Sequence, residues 1–152
     1  MINSPLTSIY QQTILDHFKN PKNFRKLEAA NRFVEGYNPL CGDHISLYLQ
    51  IQQDVIKDIG FQGKGCVISI ASASLMTSLL QEKSVYDAER ILYVFNELIR
   101  GSTQLDLVSK EFDRLAVFSG VKDFPTRTRC ASLAWLALGC GLRAENGYIS
   151  AD

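Results

Sequence analysis

The chain is predicted to fold as an α+β domain: a small three-stranded antiparallel sheet with helices packed on one face. Three observations predict it. Ile45, Leu47, Leu49 and Ile51 alternate with Ser46, Tyr48, Gln50 and Gln52, the period-two pattern of a half-buried strand. Beyond one N-terminal helix, strand-like segments come first and helical ones follow, the order of an α+β domain rather than of a parallel α/β fold. The 152 residues suit one ordinary domain. No repeat, low-complexity tract or linker interrupts them, so residues 1–152 are read as a single domain.

Each element has its own signal. Ser4-Pro5 is a helix start, with Ser as N-cap and Pro at the first helical position. Leu6, Ile9, Tyr10, Ile14 and Phe18 follow at helical spacing, and Pro21 with Asn20 before it ends the helix. Phe33–Tyr37 reads as a weak strand. Gln53-Asp54 is the expected turn after the alternating strand, with Val55–Phe61 returning as its hairpin partner. Past Gly63-Lys64-Gly65-Cys66 the pattern becomes helical, and Val67–Gln81 is rich in Ala and Ser. Ser84 with Asp87 forms a capping box. Ala88, Ile91, Leu92, Phe95 and Leu98 make the next helix's apolar stripe, and Gly101 stops it. Residues 102–124 read as loop with short helical pieces. Pro125 opens the last helix, whose apolar face carries Cys130, Leu133, Ala134, Ala137, Leu138 and Gly141.

Composition bounds the function. Hydrophobic residues are 46% and charged residues 21%, as in a globular core rather than a disordered chain. Lys plus Arg equals Asp plus Glu, 16 each, so no basic excess argues for nucleic acid or a membrane surface. The most apolar run, Val67–Leu80, has 14 residues with four serines and a threonine, too short and polar to span a bilayer. The N-terminus lacks a basic start followed by an apolar stretch, so a cytoplasmic protein is expected. In a reducing compartment thiols more often serve metals or chemistry than disulfides.

The chemistry-bearing residues are Cys41 and Asp43 in Asn-Pro-Leu-Cys-Gly-Asp, Cys66 in Gly-Lys-Gly-Cys and Cys130 in Arg-Thr-Arg-Cys. Any one Cys alone reads best as a small buried hydrophobe. Three at Gly-rich or basic element ends, with a carboxylate two residues from one of them, instead suit a tetrahedral soft or borderline metal, zinc or cluster iron. In extended chain Cys41 and Asp43 would point to the same side. Cys66 opens a helix and Cys130 lies in the first turns of another, settings expected to lower a thiol's pKa. Lys64, Arg127 and Arg129 flank the ligands and would offset the site's negative charge. Cys140, ten residues past Cys130 on the same helix and about 15 Å along it at 1.5 Å per residue, is read as packing. His44 should face away from Asp43 by alternation, as an outer or partner contact. His17 is not expected to ligate, and Trp135 is assigned to the core.

These residues resemble the U-type iron–sulfur cluster assembly family, which includes IscU, the N-terminal part of NifU, and SufU. The resemblance is carried by Asp16-His17-Phe18-x-Asn20-Pro21-x-Asn23, Asn38-Pro39-x-Cys41-Gly42-Asp43, Gly63-x-Gly65-Cys66 with Ser69, Ala71-Ser72-Ala73-Ser74 and Met76-Thr77, and Cys130-Ala131-x-Leu133-Ala134-Trp135. It covers nearly the whole chain. It implies a three-stranded sheet with helices on one face, and zinc or a nascent cluster on the three Cys and the Asp. Two departures point to the SufU branch. Arg129 stands where cluster scaffolds have His, and Phe124-Pro125-Thr126-Arg127 replaces a Leu-Pro-Pro-Val-Lys stretch. The 63 residues between Cys66 and Cys130 also resemble the longer SufU version.

The resemblance thus implies a zinc-dependent sulfurtransferase-type role: Cys41, Asp43, Cys66 and Cys130 hold zinc, and Cys41 accepts persulfide sulfur from a SufS-like cysteine desulfurase. Asp43 serves as the labile ligand, and Arg127 contacts the partner or the released charge. Downstream iron–sulfur assembly proteins receive the sulfur. The alternative it leaves open is a scaffold that binds iron or a nascent [2Fe–2S] cluster on the same residues and transfers it.

Overall fold

The computed structural model describes residues 5–101, 114–123, 125–144 and 146–151. Helix α1 (Pro5–Lys19) leads into strands β1 (Arg32–Asn38), β2 (Asp43–Gln52) and β3 (Val55–Lys64). Helices α2 (Val67–Leu80) and α3 (Val85–Ile99), a 3₁₀ segment (Ala116–Asp123), helix α4 (Pro125–Arg143) and strand β4 (Asn146–Ser150) follow. Ser4 and residues 102–113, assigned above to a cap and to loop, lie outside the described residues.

The sheet corrects the sequence expectation. It has four strands in the order β3-β2-β1-β4, and it is mixed: β1 pairs antiparallel with β2, β2 antiparallel with β3, and β4 parallel with β1. The added strand has only five residues, and its partner lies more than a hundred positions earlier in the chain. Helix α4 supplies the crossover that a parallel pair requires. The expected placement of helices on one face holds. Val34, Ile45, Leu47, Leu49, Ile59 and Phe61 are fully buried on the inner face, where α4 crosses β1, β2 and β4, and α2 lies on β3.

Between β2 and β3, Gln53 and Asp54 both take positive φ, 52° and 60°, the paired left-handed residues of a tight hairpin turn. Ser84 caps α3, its hydroxyl accepting from Asp87 N at 3.0 Å. Gly101, just past α3, has φ +84°.

Helix α2 is buried nearly all round, from Ser69 to Thr77, because α1, α4 and the sheet all pack on it. Its hydroxyls find partners across those interfaces, as buried polar groups must. Ser72 Oγ donates to Ala131 O at 2.6 Å and accepts from Trp135 Nε1 at 3.0 Å. Trp135 is buried as expected and stacks on Phe95 with ring centroids 4.3 Å apart.

The inward face of α1 differs from the expected stripe. Phe18 is 37% exposed, while Ile14 packs against the core and His17 Nδ1 meets Ser74 Oγ at 2.7 Å. Helix α1 is rolled so that His17 rather than Phe18 faces α2. No helix among the described residues is long and apolar enough to cross a membrane.

Candidate metal centre

The β1–β2 hairpin builds the first part of the site. Asn38 and Asp43 are register partners, leaving Pro39, Leu40, Cys41 and Gly42 as the loop. Pro39 has no N–H to satisfy. Leu40 N donates to Asn38 Oδ1 at 3.3 Å, an Asx turn, and Gly42 N donates to Asn38 O at 2.8 Å. Gly42 takes φ +73°, a left-handed conformation that glycine adopts freely. The two-residue spacing of Cys41 and Asp43 therefore works through a turn, and the expected strand alternation plays no part at Cys41.

The β3–α2 corner builds the second part. Cys66 is the N-cap of α2, with Sγ accepting from Ser69 N at 3.5 Å. Its own N–H donates to Asp43 Oδ1 at 3.0 Å. Gly65 makes this approach possible. A β-carbon there would lie 2.6 Å from Asp43 Oδ1 and 2.7 Å from Ser69 Oγ.

Helix α4 supplies the third part. Cys130, fully buried, places Sγ 3.5 Å from Cys41 Sγ. Two sulfurs on a tetrahedral zinc with bonds of about 2.3 Å would sit about 3.8 Å apart, so this pair needs to move only a few tenths of an ångström to share an ion. Asn38 Nδ2 reaches Asp43 Oδ2 at 3.1 Å and Cys130 Sγ at 3.7 Å.

Donor atoms of Cys41, Asp43 and Cys130 all lie within 4.8 Å of one another, and this group could hold a metal ion. Cys66 falls outside that mutual distance, although its backbone is bonded to Asp43 and its thiol interacts with Cys130. Burial pushes the Cys130 thiol up, reinforced by hydrogen bonding to Asp43, Cys66 and Cys41 and by charge on Cys66. This corrects the expectation that all three thiols sit where their pKa is lowered: the interior position of Cys130 outweighs its place near a helix start.

Asp43 is also fully buried. Its two oxygens accept from neutral donors, and among the described residues no Lys, Arg or His pairs with it. A buried carboxylate without a cation is costly, and a cation beside two thiols and a carboxylate would remove that cost. The donor set therefore fits zinc or iron. Cys41 is the most open of the group and Cys130 the most enclosed; all four cysteines are free.

Other residues singled out from the sequence are not among these donors. Arg127, Arg129 and Lys64 are exposed. His44 faces away from Asp43 and pairs with Glu35 at 2.9 Å on the outer sheet face. His17 bonds Ser74, and Cys140 lies against Gly147 of β4. The residue that sequence reasoning missed is Asn38, noted only as the first residue of the Asn-Pro-Leu-Cys-Gly-Asp stretch. Its signal was its place, one loop length before Asp43.

The chain is similar to known proteins over nearly its whole length. The NifU-like N-terminal domain model matches residues 9–131. The zinc-dependent sulfurtransferase SufU of Bacillus subtilis (strain 168) is 37% identical over 145 residues, covering 95% of this chain and 97% of the relative. The iron–sulfur cluster assembly scaffold protein IscU of Streptococcus pyogenes serotype M1 is 38% identical over 138 residues, 91% of this chain and 85% of the relative. A crystal structure from Fervidobacterium islandicum AW-1, described as a cluster assembly scaffold protein for the SUF system, superposes with a TM-score of 0.77 at 30% identity, covering 90% of this chain and 98% of that one. With that match and with relatives aligned nearly end to end, this chain belongs to the NifU-like N-terminal domain family of IscU-like and SufU-like proteins.

Proposed function

We propose that this protein serves iron–sulfur cluster assembly as a zinc-dependent acceptor of persulfide sulfur, taken through Cys41 from a cysteine desulfurase. The observation that carries this reading is the contrast within one site. Cys41 is an exposed thiol on a turn, 3.5 Å from the buried Cys130 and beside the buried Asp43. Such a site offers one sulfur to a partner while keeping its other donors inside. The SufU relative's name supports zinc and sulfur transfer.

Zinc would be held by Cys41, Asp43, Cys66 and Cys130, and would supply the positive charge that keeps their thiols ionised. Cys66 can keep the Ser69 N–H while ligating, since a thiolate sulfur has lone pairs to spare. Once a docked partner frees it, the Cys41 thiolate attacks the outer sulfur of the desulfurase persulfide. A new Cys41 S–S bond forms, the old S–S bond breaks, and the desulfurase cysteine leaves as thiolate. Arg127, on the exposed first turn of α4, is assigned to the partner surface or to the charge on the freed Cys41. The free thiols accord with a cytoplasmic location, and downstream assembly proteins would receive the sulfur.

The test is intact mass measurement after incubation with cysteine and its desulfurase. The expected result is a gain of one sulfur atom, lost in Cys41→Ala. Equal stimulation of desulfurase turnover by the parent and by Cys41→Ala would refute the role.

A second reading, a scaffold carrying [2Fe–2S] as cargo, rests on the same sulfur donors and on the IscU relative. Anaerobic reconstitution separates the two. A cluster that survives transfer to an acceptor protein supports scaffolding; one lost within minutes, while zinc stays bound, supports sulfur transfer.

A further inference from the structure

Asn38 is fully buried and sits at the centre of the site. We propose that Asn38 is a positioning residue of the metal centre, its side-chain amide clamping Asp43 to Cys130 while its oxygens set the turn that carries Cys41. This rests on the proposed metal site and extends it to a residue that is not itself a ligand.

The hydrogen bonds determine which way the amide faces. Leu40 N–H can only donate, so the amide oxygen faces it, and the Asp43 carboxylate can only accept, so the amide nitrogen faces that. The NH₂ group then has two hydrogens for two acceptors, Asp43 Oδ2 at 3.1 Å and Cys130 Sγ at 3.7 Å. The second distance suits the larger radius of sulfur. The backbone carbonyl of Asn38 takes the Gly42 N–H.

One buried residue thus ties together a hairpin turn, the first residue of β2 and a helix that arrives much later in the chain. The clamp also matters electrically. Metal binding requires Asp43 and Cys130 to be negative side by side, and an amide donating to both offsets their repulsion. Cys66 receives a separate donor, Ser69 N–H. Among the described residues Cys41 has only its contact with Cys130, so the hydrogen bonds hold the inner donors and leave the outer sulfur able to leave.

The test compares zinc affinity by chelator competition in the parent, Asn38→Ala and Asn38→Ser. Serine can keep the turn, because its hydroxyl also accepts from the N–H two residues on, but it is too short to reach Asp43 and Cys130. Groups that orient metal ligands typically change affinity about ten- to a hundred-fold when removed. The expected result is a loss of that size in both variants, with altered thiolate-to-metal absorption in the cobalt(II)-substituted proteins. In an Asp43→Ala background Asn38→Ser should cost much less, because one of the clamped groups is gone. Undiminished zinc affinity in Asn38→Ser overturns the proposal. So does an affinity loss that only tracks lost melting temperature and persists in full in the Asp43→Ala background. A parent protein that takes no zinc would instead overturn the functional reading on which this inference rests.

Discussion

The backbone N–H of Cys66 donates to Asp43 Oδ1 at 3.0 Å, so the carboxylate at the start of β2 also fixes the β3–α2 corner. Asp43 is therefore structural as well as a candidate ligand. Replacing it with Ala orphans the half-buried Cys66 N–H and one hydrogen of the fully buried Asn38 amide. Loss of such partners costs about 1–3 kcal/mol. With zinc present, when the ion offsets the cost of the buried carboxylate, Asp43→Ala should lower stability by at least that order in denaturant melts and should weaken zinc binding. A variant as stable as the parent would show that the corner holds without this bond.

Gly65 should tolerate no side chain. A β-carbon would meet Asp43 Oδ1 at 2.6 Å and Ser69 Oγ at 2.7 Å, the first a candidate ligand and the second on the residue whose N–H meets Cys66 Sγ. Gly65→Ala must push the carboxylate away from Cys66 N–H or open the first turn of α2. Overpacking of this kind costs about 1–3 kcal/mol. The predicted phenotype is retained helicity by circular dichroism with loss of zinc retention; unchanged retention would count against the geometry.

These two sites show what was legible in the sequence. The β2 alternation was legible because one face of that strand is buried at every second residue. Strand β4 was not, because five residues carry little pattern and their pairing with β1 is decided by where α4 delivers them. Cys41 and Asp43 were legible as a pair from their spacing, although a left-handed Gly42 joins them rather than a strand. Asn38 was legible only by its place one loop length before Asp43; its reach to Cys130 was opaque, because no local pattern connects the two. Phe18 misled because α1 is rolled to bring His17 to Ser74 Oγ, a polar contact that apolar spacing does not register.

The ring that meets that hydroxyl makes stability depend on pH. Ser74 Oγ accepts from Lys22 N at 2.7 Å and meets His17 Nδ1 at 2.7 Å, the ring tautomer deciding which of the two donates. Burial lowers the His17 pKa, with Arg114 and Lys22 acting the same way and Asp16 opposing them. A lowered value means that the unfolded chain binds the proton first. The stabilisation is fully present above the unfolded value of about 6.5 and is lost as pH falls below it toward the folded value. The melting temperature should therefore drop more steeply for the parent than for His17→Gln as pH is lowered from about 7 to about 5. Parallel curves would exclude His17 as the cause.

The contrast between Cys41 and Cys130 predicts an order of chemical reactivity. Alkylation requires an accessible thiolate. Cys41 is exposed on its turn, whereas Cys130 is fully buried and its thiol is pushed up by that burial. Under limiting iodoacetamide with zinc removed by chelator, peptide mapping should find label on Cys41 first and on Cys130 last, with half-buried Cys66 between them. Added zinc should slow labelling at all three, because a shared ion occupies the sulfur lone pairs. Cys140, half-buried against Gly147 of β4 and away from the site, should label at the same rate with and without zinc. It is the internal control: zinc protection extending equally to Cys140 would mean that the ion tightens the whole fold, whereas protection confined to Cys41, Cys66 and Cys130 identifies them as the residues that hold it.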